Sequence, residues 1–265
     1  MSVETAAFNE TGISNQLKQG LIDEAEVRLQ SKIFNVHLEE FPPNEVVAYH
    51  LSPEDEDIYI LNSTDTPLTD SQLEDIQNLL EIFSWRTGNR LASRLFAIWL
   101  QPQDAFEFDW QLGETKFGYV TLSERLFEDD VLKHDYHGIA QTNSAFKIML
   151  CHELGHVEDV SFFGELGEDY ADIDPAKRVA STNFDALPYW VSEGESGLAP
   201  LTPYAKRRNL PTEDRAESTV FDVLGDQYQG STLEQLDVER YRLIQTSLAN
   251  LLGQSVSGPP YVEKL

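Results

Sequence analysis

The feature that most constrains this chain is a stretch of helix carrying two histidines one turn apart. Residues 142–160 read TNSAFKIMLCHELGHVEDV, and Phe146, Met149, Leu150 and Leu154 recur with helical spacing. Within it lies His152-Glu153-Leu154-Gly155-His156. Side chains at i and i+4 leave a helix on one face. Both imidazoles can therefore reach a single tetrahedral metal ion at about 2.0–2.1 Å. Glu153 projects about 100° round the helix from His152. It is badly placed to ligate the same ion and well placed to take a proton from a water on it, whose pKa a metal lowers towards about 7. The plain alternative is two surface histidines on an acidic helix, so the pair needs a third ligand from elsewhere in the chain.

The metzincin arrangement does not supply it. That pattern wants a ligand six residues beyond His156, where Phe162 stands, and a glycine where Asp159 stands. A second helix does better. Residues 212–225 read TEDRAESTVFDVLG, with Thr212 as cap after Pro211. Glu213 and Glu217 share a face bordered by Ala216, Val220, Phe221 and Leu224. A helix that buries this apolar stripe presses both glutamates inward, and buried carboxylates need a partner or a metal. Glu213 is then the third ligand. Glu217 accepts a hydrogen bond from a ligating histidine and so sets its tautomer. The competing view is an exposed acidic first turn, favoured by the helix dipole. Glu165, Glu193 and Glu195 are the other carboxylates that can complete the set.

An H-E-L-G-H helix followed downstream by an E-x-x-x-E helix resembles the gluzincin zinc metallopeptidases. The string Tyr204-Ala205 … Pro211-Thr212-Glu213-Asp214-Arg215-Ala216-Glu217 is similar to the corresponding helix of peptidases related to the anthrax lethal factor catalytic domain. The resemblance covers these two helices and the approach to the second. It implies one Zn2+ held by His152, His156 and Glu213, with Glu153 as general base and Glu217 behind a histidine ligand. It implies that Tyr204 donates to the developing oxyanion, with Tyr189 and Tyr170 as alternatives. It also implies an edge strand before the histidine helix that pairs with an extended substrate, a place taken by KFGYVTLS with Tyr119, Val120 and Thr121. Two features depart from the pattern. Arg215 stands where an aromatic residue is usual, and the interval from Tyr204 to Glu213 is long.

Around these helices the chain reads as α+β. Residues 14–32 place Leu17, Leu21, Ala25 and Leu29 at helical intervals. Residues 70–88 open with Thr69-x-x-Gln72, a capping-box pattern, and carry Leu73, Ile76, Leu79, Leu80 and Phe83 on one face. Residues 231–252 form a third such helix, capped at Ser231 or Thr232 and ended by Gly253. Residues 58–61, 96–100 and 118–122 read as strands, the last after a turn at Gly113–Glu114. The mixed order argues against a doubly wound sheet. The expected architecture is zincin-like: a small mixed sheet with an edge strand packed on the H-E-x-x-H helix, and a downstream glutamate helix. Residues 1–90 are expected as a mainly helical part packed on the same core, and residues 91–265 as the metallopeptidase domain. Residues 161–211, rich in Gly, Pro, Ser and Asp, read as a long surface excursion.

Composition narrows the partners. Nineteen Lys and Arg against 46 Asp and Glu give a formal charge of −27. That argues against nucleic acid or an anionic membrane surface bound through a large basic face. It favours a protein or peptide substrate with basic segments. A single cysteine, Cys151, excludes an intrachain disulfide framework and reads as a small core residue. No leader or long apolar run is visible, so a cytoplasmic protein, or one exported without a leader, is expected. His134 and His137 sit in an acidic loop as polar surface residues, and His37 and His50 have no partner pattern. Two functions from different classes follow. One is a zinc-dependent endopeptidase. The other is a non-hydrolytic, metal-stabilised acidic decoy for a basic partner, which would tolerate loss of Glu153.

Overall fold

Rows of apolar side chains, matched across neighbouring strands, build the sheet of this protein. The computed structural model describes residues 3–4, 19–20, 22–25, 27, 40–49, 57–87, 91–116, 118–128, 131–132, 143–160, 201–208, 211–225, 237–238, 241–242 and 244–245. They include strands β1 (Val3–Glu4), β2 (Glu45–Tyr49), β3 (Ile58–Asn62), β4 (Leu95–Gln101), β5 (Gly113–Lys116) and β6 (Gly118–Ser123). The strands form one sheet in the order β1-β2-β3-β4-β6-β5. β3 and β4 are parallel, as are β4 and β6, and the other neighbours are antiparallel. Every residue of β3 and β4 is buried, as expected for central parallel strands covered on both faces. Tyr59 lies opposite Ala97, and Leu61 opposite Trp99. These join Val46, Ala48 and Phe96 in a core closed by Ala25 and Ile22 from the N-terminal helix.

Helix α1 (Asp70–Arg86) follows β3. Its expected capping box is present. Thr69 Oγ1 accepts from the Gln72 amide at 3.3 Å, and Gln72 Oε1 accepts from the Thr69 amide at 2.8 Å. Ile76, Leu79, Leu80 and Phe83 of α1 are fully buried. Helical backbone at residues 19–20, 22–25 and 27 agrees with the helix expected over 14–32, and at 238, 241–242 and 244–245 with that over 231–252. The ends of both lie outside the described residues, as does most of the excursion expected over 161–211. So do His37, His50, His134, His137, Glu165, Tyr170, Tyr189, Glu193 and Glu195. Among the described residues no helix is long and apolar enough to cross a membrane.

The α+β class agrees with the sequence; three details differ. First, the first 90 residues share one sheet with the residues after them, because β3 and β4 pair across that position. The chain instead forms two compact units, Met1–Ser84 with Arg90–Val131, and Trp85–Asn89 with Leu132–Leu265. The first 90 residues contribute three strands as well as helix. Second, Gly113–Glu114 is not a turn but the start of β5. The turn comes later: Lys116 pairs with Tyr119, and Gly118 takes the positive φ (87°) that a tight hairpin needs. Third, the strand with Tyr119, Val120 and Thr121 is not an edge. β4 pairs with it on one side and β5 on the other, so its main chain is already satisfied. Val120 and Thr121 are buried, and Tyr119 packs on the sheet core. Alternation alone cannot tell an edge strand from an inner one, because a four-residue hairpin partner such as GETK carries little apolar signal.

The α1 cap is local and exposed, so its loss should act on stability alone. We expect Thr69→Ala to destabilise the protein by about 1 kcal/mol, read as a lower urea midpoint with an unchanged slope.

Candidate metal centre

The site lies wholly in the second unit, on three helices. Helix α2 (Ala145–Val160) starts at Ser144, whose Oγ accepts from the Lys147 amide at 3.1 Å. Residues 150–158 are buried without exception, so this stretch of the helix is core on all sides. Helices α3 (Pro203–Arg208) and α4 (Pro211–Leu224) follow. α4 begins one residue earlier than expected, with proline at its first position, where the missing amide costs nothing. α2 and α4 meet closely at Gly155. A Cβ added there would lie 3.2 Å from Ala216 Cα and 3.3 Å from Thr219 Cβ. The glycine of the His-Glu-Leu-Gly-His string is thus where the second helix comes nearest.

That approach brings together the residues expected as ligands. His152 Nε2 and His156 Nε2 are 3.1 Å apart. Glu213 Oε2 lies 3.3 Å from the first and 3.6 Å from the second. Tetrahedral bonds of about 2.0–2.1 Å set neighbouring ligand atoms about 3.4 Å apart, and the three edges bracket that value. The donor set, two imidazoles and one carboxylate, suits a divalent transition metal. The buried Glu213 Oε2 also has no hydrogen-bond partner among the described residues. An oxygen so placed calls for a cation, and the residues present fit one.

Glu217 occupies the position expected behind a ligand. Its Oε1 lies 2.8 Å from His152 Nδ1. A carboxylate there accepts the Nδ1 proton and leaves the Nε2 lone pair towards the site. Its Oε2 accepts from Thr202 Oγ1 at 2.6 Å, and Thr202 Oγ1 accepts from the Ala205 amide at 3.1 Å. Thr202 thereby caps α3 and joins it to the histidine. The Thr202-Pro203 pair is a cap-and-first-turn signal that sequence reasoning passed over. The Leu201 amide donates to Asp214 Oδ1 at 2.8 Å and fixes the same approach to α4.

Two further groups complete the surroundings. Glu153 is buried, and its charge acts on both His152 and Tyr204. The Tyr204 ring stands edge-on to that of His152, 5.8 Å between centroids. Burial, with the charge of Glu213 next, pushes the Tyr204 phenol well above its ordinary value. It therefore stays protonated and can donate a hydrogen bond. One turn on, Arg208 Nε lies 3.9 Å from Glu213 Oε1, the oxygen turned away from the histidines. Tyr119, Val120 and Thr121 belong to the other unit and are not among these residues.

Arg215, the departure from the expected pattern, has a physical explanation. It is buried and donates to Glu158 Oε1 at 3.1 Å. Arg86 Nε meets Glu158 Oε2 at 2.6 Å, and Arg86 Nη1 meets Asp222 Oδ2 at 2.7 Å. Two guanidiniums and two carboxylates thus balance inside the unit. Burial would raise the Glu158 pKa, but Arg86 and Arg215 outweigh it and hold the group ionised. Glu158 lies two residues past His156, and Arg215 lies between Glu213 and Glu217. The ionic cluster ties α2 to α4 where an aromatic residue would have packed. Cys151 is fully buried nearby, and burial pushes its thiol far up, which leaves it unreactive. Nothing in local sequence could pair residues 86, 158, 215 and 222.

No model of a known protein family matches the chain, and no curated protein or solved structure matches it.

Two outcomes are expected. Gly155→Val should force α2 and α4 apart and weaken Zn2+ binding at least tenfold, by about 1.4 kcal/mol, measured by competition with a chromophoric chelator. The second concerns pH. Burial would lower the His152 pKa, but the carboxylates of Glu213 and Glu217 beside it outweigh burial and raise it well above its ordinary value. A proton therefore competes with metal below that raised pKa. Apparent Zn2+ affinity should still be climbing above about pH 7, where an ordinary histidine with a pKa of about 6.5 has finished titrating. Calorimetry in buffers of different ionisation enthalpy should show protons released on binding. A flat affinity and no proton release would contradict the assignment.

Proposed function

We propose that this protein is a zinc-dependent endopeptidase with a zincin-like catalytic unit, His152, His156 and Glu213 holding one Zn2+. The observation that carries this reading is the triangle of three ligand atoms, 3.1, 3.3 and 3.6 Å on its edges, with Glu217 behind His152. When bound, the metal would lower the pKa of a water and polarise a scissile carbonyl. The chain's own residues then divide the remaining work. Glu153 lies next to a ligand in sequence but about 100° round α2 from it, and its carboxylate is not one of the three ligand atoms. It takes the proton of the attacking water and returns it to the leaving amine nitrogen. Tyr204, held protonated by burial and by Glu213, donates to the oxygen on which negative charge develops. Glu217 and Thr202 fix the His152 ring, so that its Nε2 lone pair needs no reorientation during reaction.

The substrate class follows from charge. With a formal charge of −27 the protein attracts basic chains and repels acidic ones, so the substrate is a protein or peptide with basic segments. The decisive experiment is metal analysis with a peptide-library cleavage assay on the wild type and on Glu153→Gln. The variant should keep its zinc and lose at least about a hundredfold in kcat. Wild-type protein that binds zinc but cleaves nothing, or a Glu153→Gln variant with full activity, would overturn the proposal.

A further inference from the structure

The connection from β4 to β5 holds two aromatic rings out in solvent. Phe108 and Trp110 are 45% and 57% exposed. Their rings stack, with centroids 5.1 Å apart and planes 12° from parallel. They sit in the string Phe106-Glu107-Phe108-Asp109-Trp110, and Asp104, Glu107 and Asp109 are exposed beside them. The main chain beneath is pinned by contacts within the connection and by two residues beyond it. Gln103 Nε2 donates to the carbonyls of Phe108 (3.1 Å) and Gln111 (3.3 Å), and the Gln111 amide donates to Phe108 O at 3.0 Å. Arg125 Nη1 donates to Asp109 O, and Ser123 Oγ donates to the Gln103 side-chain oxygen. The carbonyls of Phe108, Asp109 and Gln111 are thus engaged, while the rings and carboxylates are exposed. Paired exposed aromatics on an ordered backbone are the kind of patch that marks an interaction site.

We propose that Phe108 and Trp110, flanked by Asp104, Glu107 and Asp109, form a docking platform for an arginine-rich segment of a partner protein. A guanidinium is planar, weakly hydrated and stacks on aromatic faces, and the neighbouring carboxylates supply its counter-charge. A second copy of this chain is a poor occupant, because a symmetric contact would set the carboxylates against themselves in a chain of charge −27. Lysine lacks the planar face and should bind more weakly. The platform lies in the first unit and stands independently of the proposed peptidase site.

The test labels the four tryptophans of the full-length protein with 5-fluorotryptophan, the Trp110 signal being assigned with Trp110→Phe. An octa-arginine peptide, an octa-lysine peptide and a neutral cello-oligosaccharide are titrated in turn at about 0.15 M salt. Octa-arginine should move the Trp110 resonance saturably and leave the other three in place. Octa-lysine should bind more weakly. Measured by isothermal titration calorimetry, Phe108→Ala/Trp110→Ala should lose octa-arginine affinity at least about tenfold against the wild type, with an unchanged thermal midpoint. Glu107→Gln/Asp109→Asn should flatten the salt dependence. A double aromatic variant that binds octa-arginine as well as the wild type would show attraction by the general acidity alone and overturn the proposal. So would a Trp110 signal that moves only with the oligosaccharide.

Discussion

The close approach of α2 and α4 at Gly155 is the constraint on which the second unit depends. A side chain there would begin 3.2 Å from Ala216 Cα and 3.3 Å from Thr219 Cβ, so glycine lets the two helices come this near without crowding. At that separation a carboxylate one turn before Ala216 falls between two imidazole nitrogens, and the carboxylate after it reaches the far nitrogen of His152. A wider helix pair would leave the same residues pointing at water. The small residue therefore shapes the candidate metal centre as much as His152, His156 and Glu213 do.

Charge is handled differently inside this protein and on its surface. The chain as a whole is strongly acidic, yet most of the buried charges described in the second unit meet an opposite charge. Arg86 and Arg215 meet Glu158 and Asp222, and the histidines meet Glu213 and Glu217. Burying an unpaired ion costs several kcal/mol, so each inward carboxylate must have its own cation. Glu213 Oε2 faces both imidazoles and has no hydrogen bond among the described residues, and a metal ion fits there. The surface follows no such rule, since water and salt screen its charges. Phe108 and Trp110 stand on that acidic surface, on a backbone held through the carbonyls of Phe108, Asp109 and Gln111.

The elements with strong periodicity were legible. The capping box at Thr69 and Gln72, the apolar face of α1, the histidine helix and the glutamate helix all lie where spacing puts them. Weaker signals misled. GETK has no apolar alternation, so β5 read as a turn and its neighbour as an edge. The boundary expected at residue 90 cut through a parallel pair of strands, because parallel pairing joins segments far apart in sequence and leaves no local mark.

For the site the division is sharper. Sequence alone determined which side chains could share a helix face, because 3.6 residues per turn is a property of the backbone. It therefore named the histidine pair, the adjoining glutamate and the glutamates of the second helix. Only the tertiary structure decided that Glu213 closes on the histidines, that Thr202 holds Glu217, and that Arg215 pairs with Glu158 in place of an aromatic contact. Those choices depend on the distance between two packed helices, and that distance is set by side-chain volume at one glycine, not by anything readable along a single segment.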